Sequence, residues 1–551
     1  MNKKISLLLC ALILLSGIQP AQAGDSAEDP NNWPKYHRTD TGWRYSPLDQ
    51  INTKNVQQLK VAWIHQPGDI TNGLNATPIV IDGVVYYTGP FSQTYAVNGT
   101  TGEILWQYLP DLDPVVYELL LTGINRGVTV GFGKVYIATA DGRYIALDQK
   151  TGREIWSQQI VDPRQCNCTF TSPPQLAGNI LYSGSTGGDF AANGKIYAVN
   201  AETGESLWTF NIIRNHPDSW TKAAAKNGGG GAWLPGTYDQ KTNTIYIGTG
   251  NAAPDFDGEA RPGDNKYTAS LLALDATTGK LKWHYQEVPH DIWDYDASYE
   301  VLQIENSGKD YLVHLNKSGF VFVYDKLSGK PQKVWPVAEN ITFADGFDLK
   351  TGDYINRRET RRGEETTFCP GQMGARSWNH GAYNPKTGLW YSNLMEMCTT
   401  IKPAFVDPAS LGLTQIYFAT DVLKAVAPPG QTATARLDAR NPFTGQRIWS
   451  VNYEVPSLGS VLTTAGDLVF NTDGKGVIRG HDAKTGQELW RFSMGSGARG
   501  GIVSYAVNGK QYILATSGVS GFVFGQVGLV YKKLMNVPGG GIIVAFALDD
   551  E

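Results

Sequence analysis

The stretch "YAVNAETGESLW", residues 197–208, opens on apolar residues, turns through an Asn and a Thr-Gly pair, and ends on a tryptophan. The same order recurs in "YAVNGTTGEILW" (95–106), "IALDQKTGREIW" (145–156), "LALDATTGKLKW" (272–283), "LDARNPFTGQRIW" (437–449) and "IRGHDAKTGQELW" (478–490). Weaker copies are "FVYDKLSGKPQKVW" (322–335) and "YNPKTGLWY" (383–391). Each reads as strand, turn, strand. The Asp or Asn can bond the turn backbone, and the Gly can take the positive φ of a tight turn. The Trp then stands at one fixed place per unit, where it can dock between neighbouring sheets. Between the copies run further strands, such as "TPIVIDGVVYYTG" (77–89) and "GGIVSYAVNGKQYILATSG" (500–518). Units of about 50 residues with several short strands predict an all-β β-propeller. Six clear copies, two weak ones and the chain length predict eight blades in a single domain over 24–551. Inserts around 210–235 and 340–380 are expected to be loops on its faces.

Of 551 residues, 41% are hydrophobic and 11% aromatic, enough for a substantial core. With 47 basic against 52 acidic residues, the net charge is -5 and no long basic run occurs, so no nucleic-acid partner is expected. The N-terminus, "MNKKISLLLCALILLSGIQPAQAG", has two lysines, an apolar run and "AQA", the layout of a secretory signal over 1–23, cut after Ala23. Its apolar run is short for a bilayer span, and no later segment reads as transmembrane. The mature chain is therefore expected in the periplasm, where a homodimer is compatible with the sequence. Cys10 leaves with the signal, and the other four cysteines read as disulfides. Three pairings are possible. The favoured one closes a loop between Cys369 and Cys398 and joins Cys166 to Cys168 in "QCNC". "QCNC" also reads as two free thiols or half of a metal site, although no further Cys or His stands near enough for zinc.

Oxygen ligands recur between the repeats: Asp189 in "STGGDF", Asn251 in "IGTGNAAP", and Asp294 with Asp296 in "HDIWDYDAS" (290–298). Carboxylate and amide oxygens suit a hard cation, and several carboxylates suit a highly charged one. If 290–298 is extended, Asp294 and Asp296 point to one side, and such a pair needs a cation or a proton to resolve it. Each residue also has a plainer reading. Asp189 serves as a turn residue, Asn251 as a strand-end cap, Asp296 as a solvent-facing acid, and Arg126 and Lys317 as surface ion pairs. No C-x-x-C-H occurs for a covalent haem, and no G-x-G-x-x-G follows a strand for a nicotinamide site.

Together, "NNWPKYHRTDTGWRYSPLDQINTKNVQQLKVAW" (31–63), the Trp-ending repeats, "INRG" (124–127), "GDNKYTASLLALDATTGKLKWHYQ" (263–286) and "WDYD" (293–296) resemble the pyrroloquinoline quinone (PQQ)-dependent alcohol dehydrogenases of the methanol dehydrogenase type. The resemblance covers nearly all of the mature chain. It implies an eight-bladed propeller holding PQQ near its axis beside one metal ion. Asp189 and Asn251 then look like metal ligands, although the family usually has Glu at the first. Asp294 looks like the catalytic base and a metal ligand. Asp296 is the extra carboxylate of lanthanide-using members, so a lanthanide ion is expected, with Ca2+ as the alternative. Trp233, in "GGGGAWLPG", resembles the indole that stacks under the cofactor. Arg126, Lys317 in "LNKSG", Thr169 or Thr171 in "TFTSPP", and Gly187 and Gly188 resemble its other contacts. Cys369–Cys398 resembles a family disulfide. PQQ is a flat ortho-quinone with carboxylates, which wants an aromatic floor, cationic donors and a polarising cation.

Several positions depart from that pattern. The family's adjacent Cys-Cys ring falls on Leu120 and Leu121, a cofactor-facing Glu on Asn75, an Asn on Ser377, and two Trp positions on Val519 and Arg440. The implied substrate is a primary or secondary alcohol larger than methanol, oxidised to aldehyde or ketone, with electrons leaving to a separate soluble cytochrome c. A Cys166–Cys168 disulfide beside "TFTS" is expected to stiffen the pocket wall that the missing ring supports elsewhere. The alternatives are a degenerate quinoprotein without PQQ affinity and a non-catalytic propeller that binds other proteins.

Overall fold

In the repeats the Asp or Asn closes the turn as expected. Asn200 Oδ1 accepts from the amides of Glu202 (2.8 Å) and Thr203 (3.2 Å), and Asp148 and Asp482 bond their turns in the same way. The glycine that follows is required twice over. Gly279 has a φ of 66°, and a Cβ there would stand 2.6 Å from Cδ2 of Trp208, the tryptophan of the preceding repeat. The same contact pairs Gly102 with Trp63, Gly152 with Trp106, Gly204 with Trp156, Gly329 with Trp283, Gly445 with Trp335 and Gly486 with Trp449. Several indoles also donate to a turn carbonyl of the next repeat: Trp63 to Gly99 (2.9 Å), Trp106 to Gln149 (3.1 Å), Trp208 to Ala276 (2.9 Å) and Trp449 to Ala483 (3.0 Å). At roughly 25 cal/mol per Å2 over the roughly 150–250 Å2 that an aromatic residue buries, each docked ring contributes a few kcal/mol.

The computed structural model describes residues 29–68, 73–119, 123–214, 218–376, 378–412, 415–519 and 522–549. The signal segment 1–23, Leu120, Leu121 and Ser377 lie outside them. The protein is all-β. Among the described residues there are seven four-stranded sheets and one of five strands, almost wholly antiparallel. One of them runs Gln175–Ala177, Ile180–Gly184, Lys195–Asn200, Ser206–Asn211, each strand hydrogen-bonded to the next. The middle strands are buried, whereas the Trp-bearing outer strands, such as Glu154–Gln159, are mostly exposed. The N-terminal segment is built into the last sheets: Lys60–His65 pairs with Ile542–Ala547, and Tyr45–Ser46 lies parallel to Leu462–Thr464. No described helix is long and apolar enough to cross a membrane.

Three features differ from expectation. The copy at 383–391 joins the first two strands of its sheet, Ala382–Asn384 and Leu389–Met395, whereas the other repeats join the last two. The docked tryptophan of that sheet is Trp449, and a further docked ring, on Gly102, is Trp63, which lacks the upstream turn signature. The 340–380 insert also carries strands. Gly346–Asp348 pairs with Asp353–Ile355, and Thr366–Phe368 joins a three-stranded sheet with Cys398–Pro403 and Thr420–Val426. These strands are short and carry no Trp-Gly signature. Finally, Phe522–Val530 is a helix, set in a cluster with Met373, Met395 and Leu458.

His481, in the last repeat, carries a pH dependence. Its ring bonds Gly486 O (3.0 Å) and Tyr453 Oη (2.9 Å), and burial lowers its pKa to about 4. The unfolded chain binds that proton more tightly, so stability is intact above about pH 6.5 and falls as pH drops toward 4, by about 3 kcal/mol in all. Denaturant melts from pH 7 to 4 should therefore show a shallower acid slope for His481→Gln than for the parent.

Candidate active site

In an antiparallel sheet, the start of the first strand and the end of the second lie at the same edge. Arg126, Thr171, Trp233, Asp294 and Asp296 precede first strands, whereas Asp189, Asn251 and Lys317 follow second strands. Sheet topology alone therefore gathers these loops at one end, where they line one pocket.

The 290–298 segment is not a strand. Asp294 has a φ of 61°, a left-handed conformation that Asp tolerates better than most residues. Asp291 shapes the loop, its two carboxylate oxygens accepting from the amides of Trp293 (3.0 Å) and Tyr295 (2.8 Å). The two predicted carboxylates still meet, through a cation of the chain itself. Lys317 Nζ lies 2.7 Å from Asp294 Oδ1 and 2.7 Å from Asp296 Oδ2. Asp296 Oδ1 also accepts from Asn251 N (3.0 Å) and Trp233 Nε1 (3.2 Å). Gly250 leaves room for it, since a Cβ there would stand 2.6 Å from that oxygen.

Burial and charge set the protonation here. Burial and then Asp296 push the Asp189 carboxyl up to about 6, against Lys317 and an Asn251 side-chain hydrogen bond. Burial, with Asp296 and Asp189, holds Asp294 well above the usual carboxylate range, against the pull of Lys317. Burial alone would lower Lys317, but Asp294 and Asp296 outweigh it and keep it a cation. Oxygens of Asp189, Asp255 and Asp294 lie within 4.8 Å of one another, a donor set that fits a hard cation.

On the other side, the Arg126 guanidinium lies 5.0 Å from the Trp233 ring and 4.8 Å from the Trp378 ring. Its Nη1 donates to Thr171 Oγ1 (2.5 Å) and Thr171 O (3.3 Å). Burial lowers its pKa to about 9, which leaves it charged at neutral pH. Two indole faces, Arg126, Arg499 and the hydroxyls of Thr171 and Thr186 fit a flat polyanion. Of the two candidate threonines, Thr171 lines the pocket, and Thr169 instead donates to Ala140 O (2.5 Å). Gly188 lines the pocket, and Gly187, with a φ of 110°, forms the turn before it.

Both disulfides, Cys166–Cys168 and Cys369–Cys398, are present. The first packs against the Asp189 loop: a Cβ on Gly187 would stand 2.6 Å from Asn167 O and 3.1 Å from Cys168 Cα, and Asn167 Nδ2 donates to Phe190 O. Arg440 and Val519 do not line the pocket. Arg440 bonds Asp438 beside Trp335, and Val519 lies near Phe524 and Leu534. Sequence reasoning missed Asp255, Trp378, Tyr299 and Arg499. Asp255 stands four residues after Asn251, but no local sequence pattern sets any of the four apart from other loop residues.

A family model described as "PQQ: Glucose/ethanol/alcohol dehydrogenase, beta-propeller domain" matches residues 33–347 and 426–513. The chain belongs to the PQQ alcohol dehydrogenase family. Like its relatives it is an oxidoreductase built on a propeller-type domain. Quinoprotein alcohol dehydrogenase PedH of Pseudomonas putida is 33% identical, over 99% of this chain and 96% of that protein. Quinohemoprotein alcohol dehydrogenase of Comamonas testosteroni is 34% identical, over 90% of this chain and 74% of that one. Among solved structures, a europium-containing methanol dehydrogenase superposes with a TM-score of 0.88 at 26% identity, covering 95% of this chain and 99% of that chain.

Proposed function

We propose that residues 24–551 form a single eight-bladed propeller that acts as a periplasmic PQQ-dependent alcohol dehydrogenase after removal of the 1–23 signal. The blade count draws on the docked tryptophans, which run from Trp63 to Trp490, whose Nε1 returns to Leu59 O (3.3 Å) beside the first docking strand. The observation that carries the activity is the buried Asp294–Lys317–Asp296 bridge beside Asp189, Trp233 and Arg126. A non-catalytic scaffold has no use for such a group.

Asp189, Asn251, Asp294 and Asp296 would hold one metal ion, a lanthanide in preference to Ca2+, because so many carboxylates suit a trivalent charge. Trp233 would stack on PQQ, and Arg126, Thr171, Gly188 and Lys317 would bond its polar edge. Bound there, PQQ with its cation supplies a two-electron acceptor for the carbinol hydrogen. Asp294 would take the alcohol's hydroxyl proton on its carboxylate, which a bound metal ion would keep ionised against the burial that otherwise raises its pKa. Lys317 holds that carboxylate in place, and burial keeps water from competing. Ile124, Met373 and Phe418 offer apolar wall to a primary or secondary alcohol larger than methanol. A separate soluble cytochrome c would collect the electrons.

The test is dye reduction by the purified protein given PQQ with La3+ or Ca2+, across a panel of alcohols. Turnover with La3+ is expected, and Asp296→Ala should abolish it. No activity and no cofactor absorbance with either metal would overturn the reading. Because the Cys166–Cys168 turn carries the Asp189 loop, its reduction should lower PQQ affinity, measured by absorbance titration.

A further inference from the structure

We infer that Asp255 is an additional carboxylate ligand of the site's metal ion, an inference that rests on the metal-dependent reading above. Asp255 is wholly buried, and neither carboxylate oxygen has a hydrogen-bond partner within the protein. Its backbone is firmly held, with Asp255 N donating to Tyr417 O (3.2 Å) and Phe256 N to Phe418 O (3.1 Å). The nearby Arg261 does not serve the carboxylate. Its guanidinium donates to the backbone carbonyls of Pro254 (2.9 Å) and Asp255 (3.1 Å) and to Asn265 Oδ1 (2.7 Å).

A buried carboxylate with no donor is among the more costly arrangements in a protein, so a partner from outside the chain is called for. Geometry says which kind. One Asp255 oxygen lies within 4.8 Å of oxygens from both Asp189 and Asp294. Two oxygens on one hard cation, at about 2.3–2.6 Å each, can stand no more than about 5 Å apart. The three can therefore share an ion. Charge says which ion. Asp255 adds a fourth carboxylate to Asp189, Asp294 and Asp296, against the amine of Lys317 that touches two of them, and so anionic an oxygen set suits a trivalent cation.

The test titrates Tb3+ into the mature protein with PQQ, read by Trp-sensitised luminescence, for the parent and for Asp255→Asn and Asp255→Ala. Both variants should bind Tb3+ at least about tenfold more weakly, a loss in the range seen when groups supporting a metal site are removed. Luminescence lifetimes in H2O and D2O should show Asp255→Ala gaining inner-sphere water. The preference for La3+ over Ca2+ in competition should fall in both. Without metal, Asp255→Asn should melt no lower than the parent, because the carboxylate has no hydrogen bond within the protein to lose, and La3+ should raise its Tm less. Unchanged Tb3+ affinity and hydration in the variants would overturn the inference and leave the parent reading intact. A metal-free Asp255→Asn that melts lower would overturn it too, by marking Asp255 as structural support. Failure of the parent protein itself to bind Tb3+ would overturn the metal-dependent reading and this inference with it.

Discussion

Asp294→Asn is expected to lower alcohol turnover by about 10²–10⁴-fold, the usual contribution of a positioned general base. The substitution is nearly isosteric. Asn tolerates the left-handed backbone at this position, where φ is 61°, as readily as Asp does. Lys317 loses one carboxylate but keeps Asp296 at 2.7 Å, so the loop retains its tether. What the amide cannot do is accept the hydroxyl proton. Turnover measured by dye reduction should therefore collapse, while the melting temperature and PQQ absorbance stay close to those of the parent. A variant that kept its rate within tenfold would place the base elsewhere. Asp189 would be the first candidate, because burial already raises its pKa to about 6.

The two aspartates of "WDYD" show how far sequence carries the site. Their spacing suggested proximity through an extended strand. They do converge, but by a left-handed turn at Asp294 and through Lys317, twenty-one residues beyond Asp296, neither of which a local pattern encodes. The fold was more legible, because a Gly that must both turn and receive an indole leaves the same Gly–Trp spacing in each of the six clear repeats. Where only half of that contact is present, as at Trp63, the signature vanishes although the docking remains. Asp255 and Trp378 belong to the site through long-range packing. A buried acid or a ring over Arg126 looks, in one dimension, like any loop residue.

The largest expected loss of stability is at Arg376. It is 1% exposed, and its Nη1 lies 2.7 Å from Glu300 Oε1, while Nη2 bonds Oε2. Arg376→Met would leave Glu300 with the Gly381 amide (2.9 Å) as a remaining donor, in a fully buried position. Removing one partner of a buried ion pair typically costs about 3–5 kcal/mol, most of it the penalty of the charge left behind. Denaturant unfolding should show that loss. Adding Glu300→Leu should recover much of it, since two apolar residues can replace such a pair at little cost. Full recovery of activity is not expected. Glu300 stands four residues after Asp296 and Arg376 two before Trp378, so the pair ties the carboxylate loop to the ring that faces Arg126. Tyr299 reinforces the tie, its hydroxyl donating to Arg376 O (2.8 Å). A double variant that regains stability but binds PQQ more weakly would separate the two tasks, the charge pair holding the fold and its geometry holding the site. A single variant that loses less than about 1 kcal/mol would mean that the charge pair adds little to stability, and the tie would then rest on hydrogen bonds alone.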